Sequence, residues 1–215
     1  FFMPFSEGSY LVRYGAQNQI KITKMNTNTH NLYLFKALEA YPWELEKAVE
    51  ALQYALSYEP ENVKALCLMA KVYAEQLNDF ETAKNYFEKA VAADIGSIII
   101  YPDYARTLMQ NDDFDEAQKL IDFAKTVKGI DKALITLLEG QLLEYLQEFE
   151  AAENLLKEAR HLAMNNEFAE FVEGELERVT KKRERQKRTQ KKEETKLEPQ
   201  QAVSKSWRNR LNGLL

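Results

Sequence analysis

Cysteine, glycine, proline and histidine are all scarce in this sequence, and each shortage narrows what the protein can be. One cysteine, Cys67, among 215 residues excludes an internal disulfide framework, and we expect it to be a small core residue of a helix. Seven glycines and five prolines suit a single all-α array. No apolar run approaches the roughly 20 residues that a membrane span needs, and the N-terminus lacks the basic start and long apolar stretch of a signal peptide. A soluble, cytoplasmic protein is therefore predicted.

The residues that carry catalysis or bind metals do not form a recognisable pattern. The two histidines, His30 and His161, are far apart in the sequence. The acid-rich segment 111–117 lacks the glycine and the terminal glutamate of a calcium-binding loop. No glycine-rich phosphate loop, zinc-ligand spacing or nucleophile elbow occurs. We predict that the protein is not an enzyme, has no cofactor and has no metal site.

Four segments of the sequence repeat with a period of 34 or 35 residues. Each segment contains two alanines seven residues apart, and the first alanines are Ala48, Ala83, Ala117 and Ala152. Leucine or phenylalanine stands three residues before the first alanine, and a large apolar residue stands four residues after it. A fixed period near 34 residues is typical of a solenoid of helix-turn-helix units.

The helix before each alanine helix repeats as well. In the second unit the pattern is formed by Leu66, Met69, Ala70 and Tyr73, and in the third by Tyr101, Tyr104, Ala105 and Leu108. Together the two helices resemble the tetratricopeptide repeat over residues 30–166. This resemblance implies an all-α, right-handed helical solenoid of about four repeats with a C-terminal capping helix. It also implies that the alanines mark the places where backbones approach closely.

We divide the chain into five parts on this basis. Residues 1–24 are an uncertain N-terminal extension, which either forms a hairpin or precedes a native start at Met25. Residues 25–166 form the repeat array, and residues 167–190 form a capping helix that runs into a basic extension. The last two parts are a disordered linker over residues 191–204 and an amphipathic segment over residues 205–215.

Charge is distributed very unevenly along the chain. Residues 1–177 contain 16 basic and 30 acidic residues, whereas residues 178–196 contain ten basic and three acidic residues. The basic run is interpreted as a solvated helix extension, or as a segment that docks on an acidic protein surface. Nucleic-acid binding is the less favoured interpretation, because the run has no interleaved aromatic residues and the array is acidic.

The family resemblance implies that peptides bind to the concave face, which the first helices of the repeats line. Lys71 and Arg106 are the predicted charged anchors, and a leucine-rich wall lies in the fourth repeat. The alternative is that some of these leucines pack against the capping helix. The asparagines that some family members use to clamp chaperone C-termini are absent at the matching positions. Binding of chaperone C-termini is therefore disfavoured. The predicted peptide-binding residues are Lys64, Lys71, Asp103, Arg106, Gln110, Leu134, Leu137, Leu138, Gln141 and Tyr145.

The C-terminal segment carries a short apolar stripe. Trp207, Leu211, Leu214 and Leu215 lie on one face of a potential helix, which is too short to be stable alone. We expect Trp207 to anchor docking, either in cis on the wall Leu134–Leu138 or in trans on a partner or a second copy. A floppy terminus remains an alternative, and membrane-surface binding is weaker because the apolar face is small.

These features predict a non-catalytic scaffold or adaptor that binds a peptide or protein segment on its concave face. The alternative is a nucleic-acid-associated assembly factor that uses the basic C-terminal extension.

Overall fold

The computed structural model describes the backbone of residues 29–212 and the side chains of residues 32–192. The predicted extension over residues 1–24 lies outside the described residues. Within residues 29–212 there are nine α-helices and no strand. The helices are α1 (Thr29–Ala40), α2 (Leu45–Tyr58), α3 (Val63–Lys71), α4 (Phe80–Ala93), α5 (Ile100–Gln110), α6 (Phe114–Ala124), α7 (Lys132–Tyr145), α8 (Phe149–Leu162) and α9 (Asn166–Asn212). A π-helical turn, Val72–Gln76, continues α3.

Side-chain caps define where several helices begin. The side chain of Asn62 accepts a hydrogen bond from the backbone N–H of Ala65, and Asp131 caps α7 in the same way, each at 3.1 Å. Asn165 caps α9 through the N–H of Phe168 at 2.8 Å. Each cap satisfies one of the backbone donors that a helix leaves unpaired at its start.

The turn between the two helices of a repeat has the same conformation three times. Asn78, Asp112 and Gln147 have φ angles of 51°, 61° and 62°, and each lies two residues before the phenylalanine that begins the second helix. Asparagine and aspartate adopt this left-handed region more readily than most residues. The turns reverse the chain, so the second helix of each repeat packs back on the first.

The repeated alanines lie where helices pack most closely, as the sequence predicts. Ala48, Ala83, Ala117 and Ala152 are all fully buried, and so are the second alanines of the last three units. The ring of Phe87 stacks on Tyr104 of the next repeat, with centroids 4.9 Å apart. Small residues therefore set the distance between helices, and aromatic residues fill the space between neighbouring repeats.

The long helix α9 packs on the last repeat. Its residues Phe168, Val172 and Val179 are buried in one cluster with Ala133, Leu137 and Leu156 of α7 and α8. The helix continues through residues 191–204, where the sequence predicts a disordered linker. This segment is rich in lysine, glutamate and glutamine, which favour helix, and it contains one helix-disfavouring residue, Pro199. None of the described helices is long and apolar enough to cross a membrane.

Candidate functional site on the first-helix surface

The first helices of the repeats lie side by side. Helix α3 contacts α1 and α5, and α5 contacts α7, so these four helices form a continuous layer beside the layer of second helices. We call the outer side of this layer the first-helix surface. The predicted peptide-binding residues belong to α3, α5 and α7, and their placement shows which of them a ligand could reach.

Two cations meet one carboxylate at the centre of this surface. Lys71 Nζ on α3 lies 3.4 Å from Asp103 Oδ2 on α5, and Arg106 Nη1 lies 2.8 Å from Asp103 Oδ1. All three side chains are about three-quarters buried, with 21%, 25% and 24% of their surface exposed for Lys71, Asp103 and Arg106. We call these three residues the Asp103 cluster. The structure thus joins two predicted anchors from successive repeats through a third predicted residue.

The surroundings of the Asp103 cluster include residues that sequence reasoning did not find. The hydroxyl of Tyr41 donates a hydrogen bond to Glu75 of the π-helical turn. Burial raises the pKa of Tyr41, and the negative charge of Glu75 adds to that rise. The signal for Glu75 was its position four residues after Lys71 on the same helical path. Tyr41 follows α1 in an irregular turn, where the position of a residue within the repeat does not predict which way its side chain points.

Cys67 lies beside the same cluster and is buried, as expected from the sequence. Burial raises the pKa of its thiol to about 12, and the charge of Asp103 raises it further while that of Lys71 lowers it. The thiol is therefore protonated at neutral pH and acts as a small core residue.

The other predicted residues differ in accessibility. Lys64, Gln110 and Tyr145 are exposed, whereas Leu134 and Gln141 are partly buried. The amide of Gln141 donates to Glu175 of α9 at 2.8 Å, so this side chain is engaged with the C-terminal helix. The ring of Tyr145 stacks on Phe114 with centroids 5.8 Å apart. On the part of the first-helix surface nearest α9, two of the predicted binding residues, Gln141 and Tyr145, are therefore already in contact with other side chains of the chain.

Two predicted positions need correction. Leu137 and Leu138 are fully buried, and they pack in two different core clusters. Leu137 lies in one cluster with Phe168 and Val172 of α9, which covers the last repeat, so the alternative of packing against the C-terminal helix applies to it. These two leucines cannot contact a peptide, and they offer no docking site for Trp207.

The start of the basic run is bound to the array by ion pairs. Arg178 contacts Glu144 at 2.9 Å and Glu175 at 2.6 Å, and Lys182 contacts Glu144 at 2.7 Å. Arg183 contacts Glu153 at 2.5 Å. The three glutamates are buried, so these basic side chains are not simply solvated, and the acidic surface that they contact belongs to the same chain. The spacing of Arg178 and Lys182, one helical turn apart, was the available signal.

The predicted tail residues can be placed only in part. Trp207 and Leu211 lie on the backbone of α9, and their side chains are outside the described residues, as are Leu214 and Leu215 entirely. Their docking therefore stays a prediction.

Comparison with known proteins agrees with this architecture. Residues 63–94, which include α3 and α4, match the family model of the tetratricopeptide repeat. The fold is similar to that of Pseudomonas aeruginosa PilF, with 19% identity, a TM-score of 0.58 and 70% of each chain covered. It is also similar to yeast Tom70, with 16% identity, a TM-score of 0.61, and coverage of 82% of this chain and 38% of that one.

A third similar structure is MamA from Desulfovibrio magneticus RS-1, with 14% identity, a TM-score of 0.55, and coverage of 75% of this chain and 94% of that one. No curated protein matches the chain. The chain thus contains one segment that matches the tetratricopeptide repeat, and it shares an all-α solenoid fold with these structures. Proteins built from this repeat generally mediate protein–protein interactions.

Proposed function

We propose that the chain is a non-catalytic adaptor that binds an acidic peptide segment of a protein partner on the first-helix surface. The Asp103 cluster is the centre of the proposed site, with Lys64 and Gln110 at its exposed edges. The observation that carries the proposal is the composition of the cluster: two cations from successive repeats share the single carboxylate of Asp103, so these three residues together carry one positive charge, with the carboxylate of Glu75 nearby.

Partial burial strengthens the attraction of the cluster for a negatively charged ligand. Because the cluster is about three-quarters buried, water screens it less than it would screen a fully exposed lysine. The Nε of Arg106 is buried and has no hydrogen-bond partner among the described residues. A carboxylate from a peptide could bind between Lys71 and Arg106 as a second acceptor, with charge-assisted hydrogen bonds from both.

The rest of the array supports selectivity for this position. Residues 1–177 carry 16 basic and 30 acidic residues, so an acidic peptide is repelled by most of the surface. A local positive cluster in an acidic body therefore favours one binding position over non-specific association.

The nucleic-acid alternative has less support than the adaptor. Arg178, Lys182 and Arg183 already contact buried glutamates of the array, so they are less available for phosphate contacts. If nucleic acid were the ligand, the affinity for single-stranded RNA would persist at physiological salt and would fall steeply as salt is raised. Loss of RNA binding at physiological salt favours the adaptor.

A display library of random peptides tests the adaptor directly. We expect the full chain to select peptides that contain aspartate or glutamate. Their affinity, measured by fluorescence anisotropy, should fall at least about 10-fold in the double variant Lys71→Glu with Arg106→Glu, because two charge-assisted hydrogen bonds are lost.

The matched control is Lys119→Glu with Lys128→Glu, which makes the same change in net charge at exposed positions away from the first helices. Peptides whose affinity falls equally in both double variants would show only a general charge effect. Selected peptides without acidic residues would contradict the proposed site.

A further inference from the structure

Two large apolar side chains of α1, those of Phe35 and Leu38, are exposed. They have 57% and 43% of their surface exposed, and they lie three residues apart, so they share one side of the helix. We call these two residues the α1 apolar pair. Exposed apolar residues are ordinary when they are scattered singly, so the meaning of this pair depends on which surface of the array it belongs to.

The place of the pair within the repeat follows from a buried alanine that three first helices share. These alanines are Ala37, Ala70 and Ala105, with 0%, 0% and 1% of their surface exposed. The residue that directly follows the alanine is Leu38 in the first repeat, Lys71 in the second and Arg106 in the third. Leu38 therefore occupies in the first repeat the position that the two cations of the Asp103 cluster occupy in the next two.

Ring contacts give the same correspondence. The ring of Tyr33 stacks on a tyrosine of the second helix with centroids 5.2 Å apart, and the ring of Tyr101 contacts a phenylalanine of the second helix at 5.7 Å. The residue two positions after this tyrosine is Phe35 in the first repeat and Asp103 in the third. The α1 apolar pair therefore belongs to the first-helix surface.

An apolar contact joins α1 to the helix that carries Lys71. Helix α1 contacts α3, and Leu68 of α3 is buried in one cluster with Leu34 and Ala37 of α1. Leu68 lies three residues before Lys71. The first-helix surface thus has an apolar floor between the α1 apolar pair and the Asp103 cluster.

The end of α1 reaches the Asp103 cluster through Tyr41. The backbone N–H of Tyr41 donates to the carbonyl of Ala37 at 2.9 Å, so the helical path continues to this residue, which lies on the same side as Leu38. Its hydroxyl donates to Glu75. Burial and the charge of Glu75 raise the pKa of Tyr41, and the charge of Asp103 adds to that rise. The pair and the cluster are therefore neighbouring parts of one surface.

The charges around the two parts favour different residues of a ligand. Glu39 follows Phe35 by four residues on the same side of α1, so it repels an acidic side chain from the apolar pair. At the Asp103 cluster, two cations attract an acidic side chain, but Asp103 and Glu75 offset much of their charge. An acidic contact alone therefore gives a modest affinity, and apolar contact with the neighbouring pair adds to it.

We propose that the ligand is a peptide segment that places a large apolar side chain on the α1 apolar pair and an acidic side chain at the Asp103 cluster. This inference rests on the proposed function and adds the apolar half of the site. Packed helices lie about 8–10 Å apart, and an extended chain rises about 3.3 Å per residue. In an extended peptide, the two side chains are therefore about three residues apart.

Peptide binding by the full chain tests the assignment. The probes are the acidic peptide that binds most tightly in the display experiment and a version in which serine replaces the large apolar residue nearest to three positions from its acid. We expect the serine version to bind about 10-fold more weakly, because burial of a large apolar side chain is lost. In the double variant Phe35→Ala with Leu38→Ala, the two peptides should differ by less than about 3-fold.

The matched control is Ile95→Ala with Leu162→Ala, which shortens exposed apolar side chains outside the first helices. It should keep the 10-fold difference between the two peptides. Both double variants change exposed residues, so the helical fold is kept, which circular dichroism verifies.

Two kinds of failure are distinguishable. If the wild type binds both peptides equally, and both still lose affinity in the Lys71→Glu with Arg106→Glu variant, the apolar half of the site is overturned and the proposed function stands. If neither peptide depends on Lys71 and Arg106, both proposals fail. Acidic peptides selected without any large apolar residue would also overturn the inference.

Two other occupants of the α1 apolar pair would contradict the inference. A second copy occupies the pair if analytical ultracentrifugation finds a dimer that Phe35→Ala with Leu38→Ala dissociates. Residues 1–28 occupy it if the same substitutions speed the hydrogen exchange of that segment in the peptide-free full chain. We expect neither result.

Discussion

Gly140 on α7 allows a direct test of the close approach between the two helices of a repeat. A Cβ atom added at Gly140 would lie 3.1 Å from Cδ2 and 3.2 Å from Cγ of Leu156 on α8. Carbon atoms in ordinary contact are about 3.5–4.0 Å apart, so alanine at this position overlaps Leu156 by several tenths of an ångström. Leu156 is fully buried in a packed core, so it cannot move away without disturbing its neighbours.

The matched variant is Gly174→Ala on α9, where an added Cβ has nothing within 4 Å. Both substitutions replace a helical glycine and gain about 0.5–1 kcal/mol of helix stability. At Gly140 the overlap costs about 1–3 kcal/mol. We therefore expect Gly174→Ala to stabilise the protein and Gly140→Ala to destabilise it by about 1 kcal/mol, with about 2 kcal/mol between the two variants.

Urea unfolding followed by far-ultraviolet circular dichroism measures this difference. The midpoint of Gly140→Ala should fall below that of the wild type, and the midpoint of Gly174→Ala should rise above it. If both variants unfold at the same or a higher urea concentration than the wild type, the reasoning about close packing at Gly140 is refuted.

Three further predictions concern charged side chains in ion pairs or hydrogen bonds and the thiol of Cys67. Arg178 bridges two buried carboxylates, so Arg178→Met should lower the free energy of unfolding, measured with urea, by about 2–3 kcal/mol. Lys182 is more exposed, so Lys182→Met should lower it by only about 1 kcal/mol, and equal losses in the two variants would contradict this reasoning. A thiol reagent at about pH 8 should modify Cys67 only when the protein unfolds, because burial raises the pKa of the thiol to about 12; rapid labelling of the folded protein would contradict this. The pKa of Asp113 is lowered by hydrogen bonds from an asparagine and a lysine side chain. Its contribution to stability is present above the ordinary carboxyl pKa and is lost as pH falls through the lowered one, so Asp113→Asn should lose less stability than the wild type on acidification below about pH 4.

The helices and their contact points were readable from the sequence because they depend on local spacing. Ala83 and Phe87 repeat at fixed intervals, and each interval corresponds to a position on a helix of known geometry. The C-terminal helix α9 begins at Asn166, where the side chain of Asn165 caps it and an apolar stripe follows.

The candidate site was predicted only in part. Repeat phase identified Lys71, Asp103 and Arg106, because equivalent positions of a solenoid face the same side. It left open whether Leu137 and Leu138 line the groove or pack in the core. The burial of Leu137 depends on where α9 lies, whereas Leu138 packs with Leu108 and Ile121 of the preceding repeat.

The buried glutamates show a second limit of sequence reasoning. Glu144 is buried only because Arg178 and Lys182, more than 30 residues later, compensate its charge. A pairing over such a separation has no local pattern, and a glutamate on a helix is ordinarily interpreted as solvent-exposed. The charge asymmetry of the chain indicated that its two parts attract each other, but not which side chains meet.

The binding of an acidic peptide at the Asp103 cluster is the central claim, and nuclear magnetic resonance tests it most directly. The isotopically labelled full chain is titrated with the acidic peptide that binds most tightly in the display experiment. We predict that the largest chemical-shift changes map to Lys71, Asp103 and Arg106 and to neighbouring residues of α3 and α5. Changes confined to the second helices, or to α9 beyond Arg183, would contradict the account.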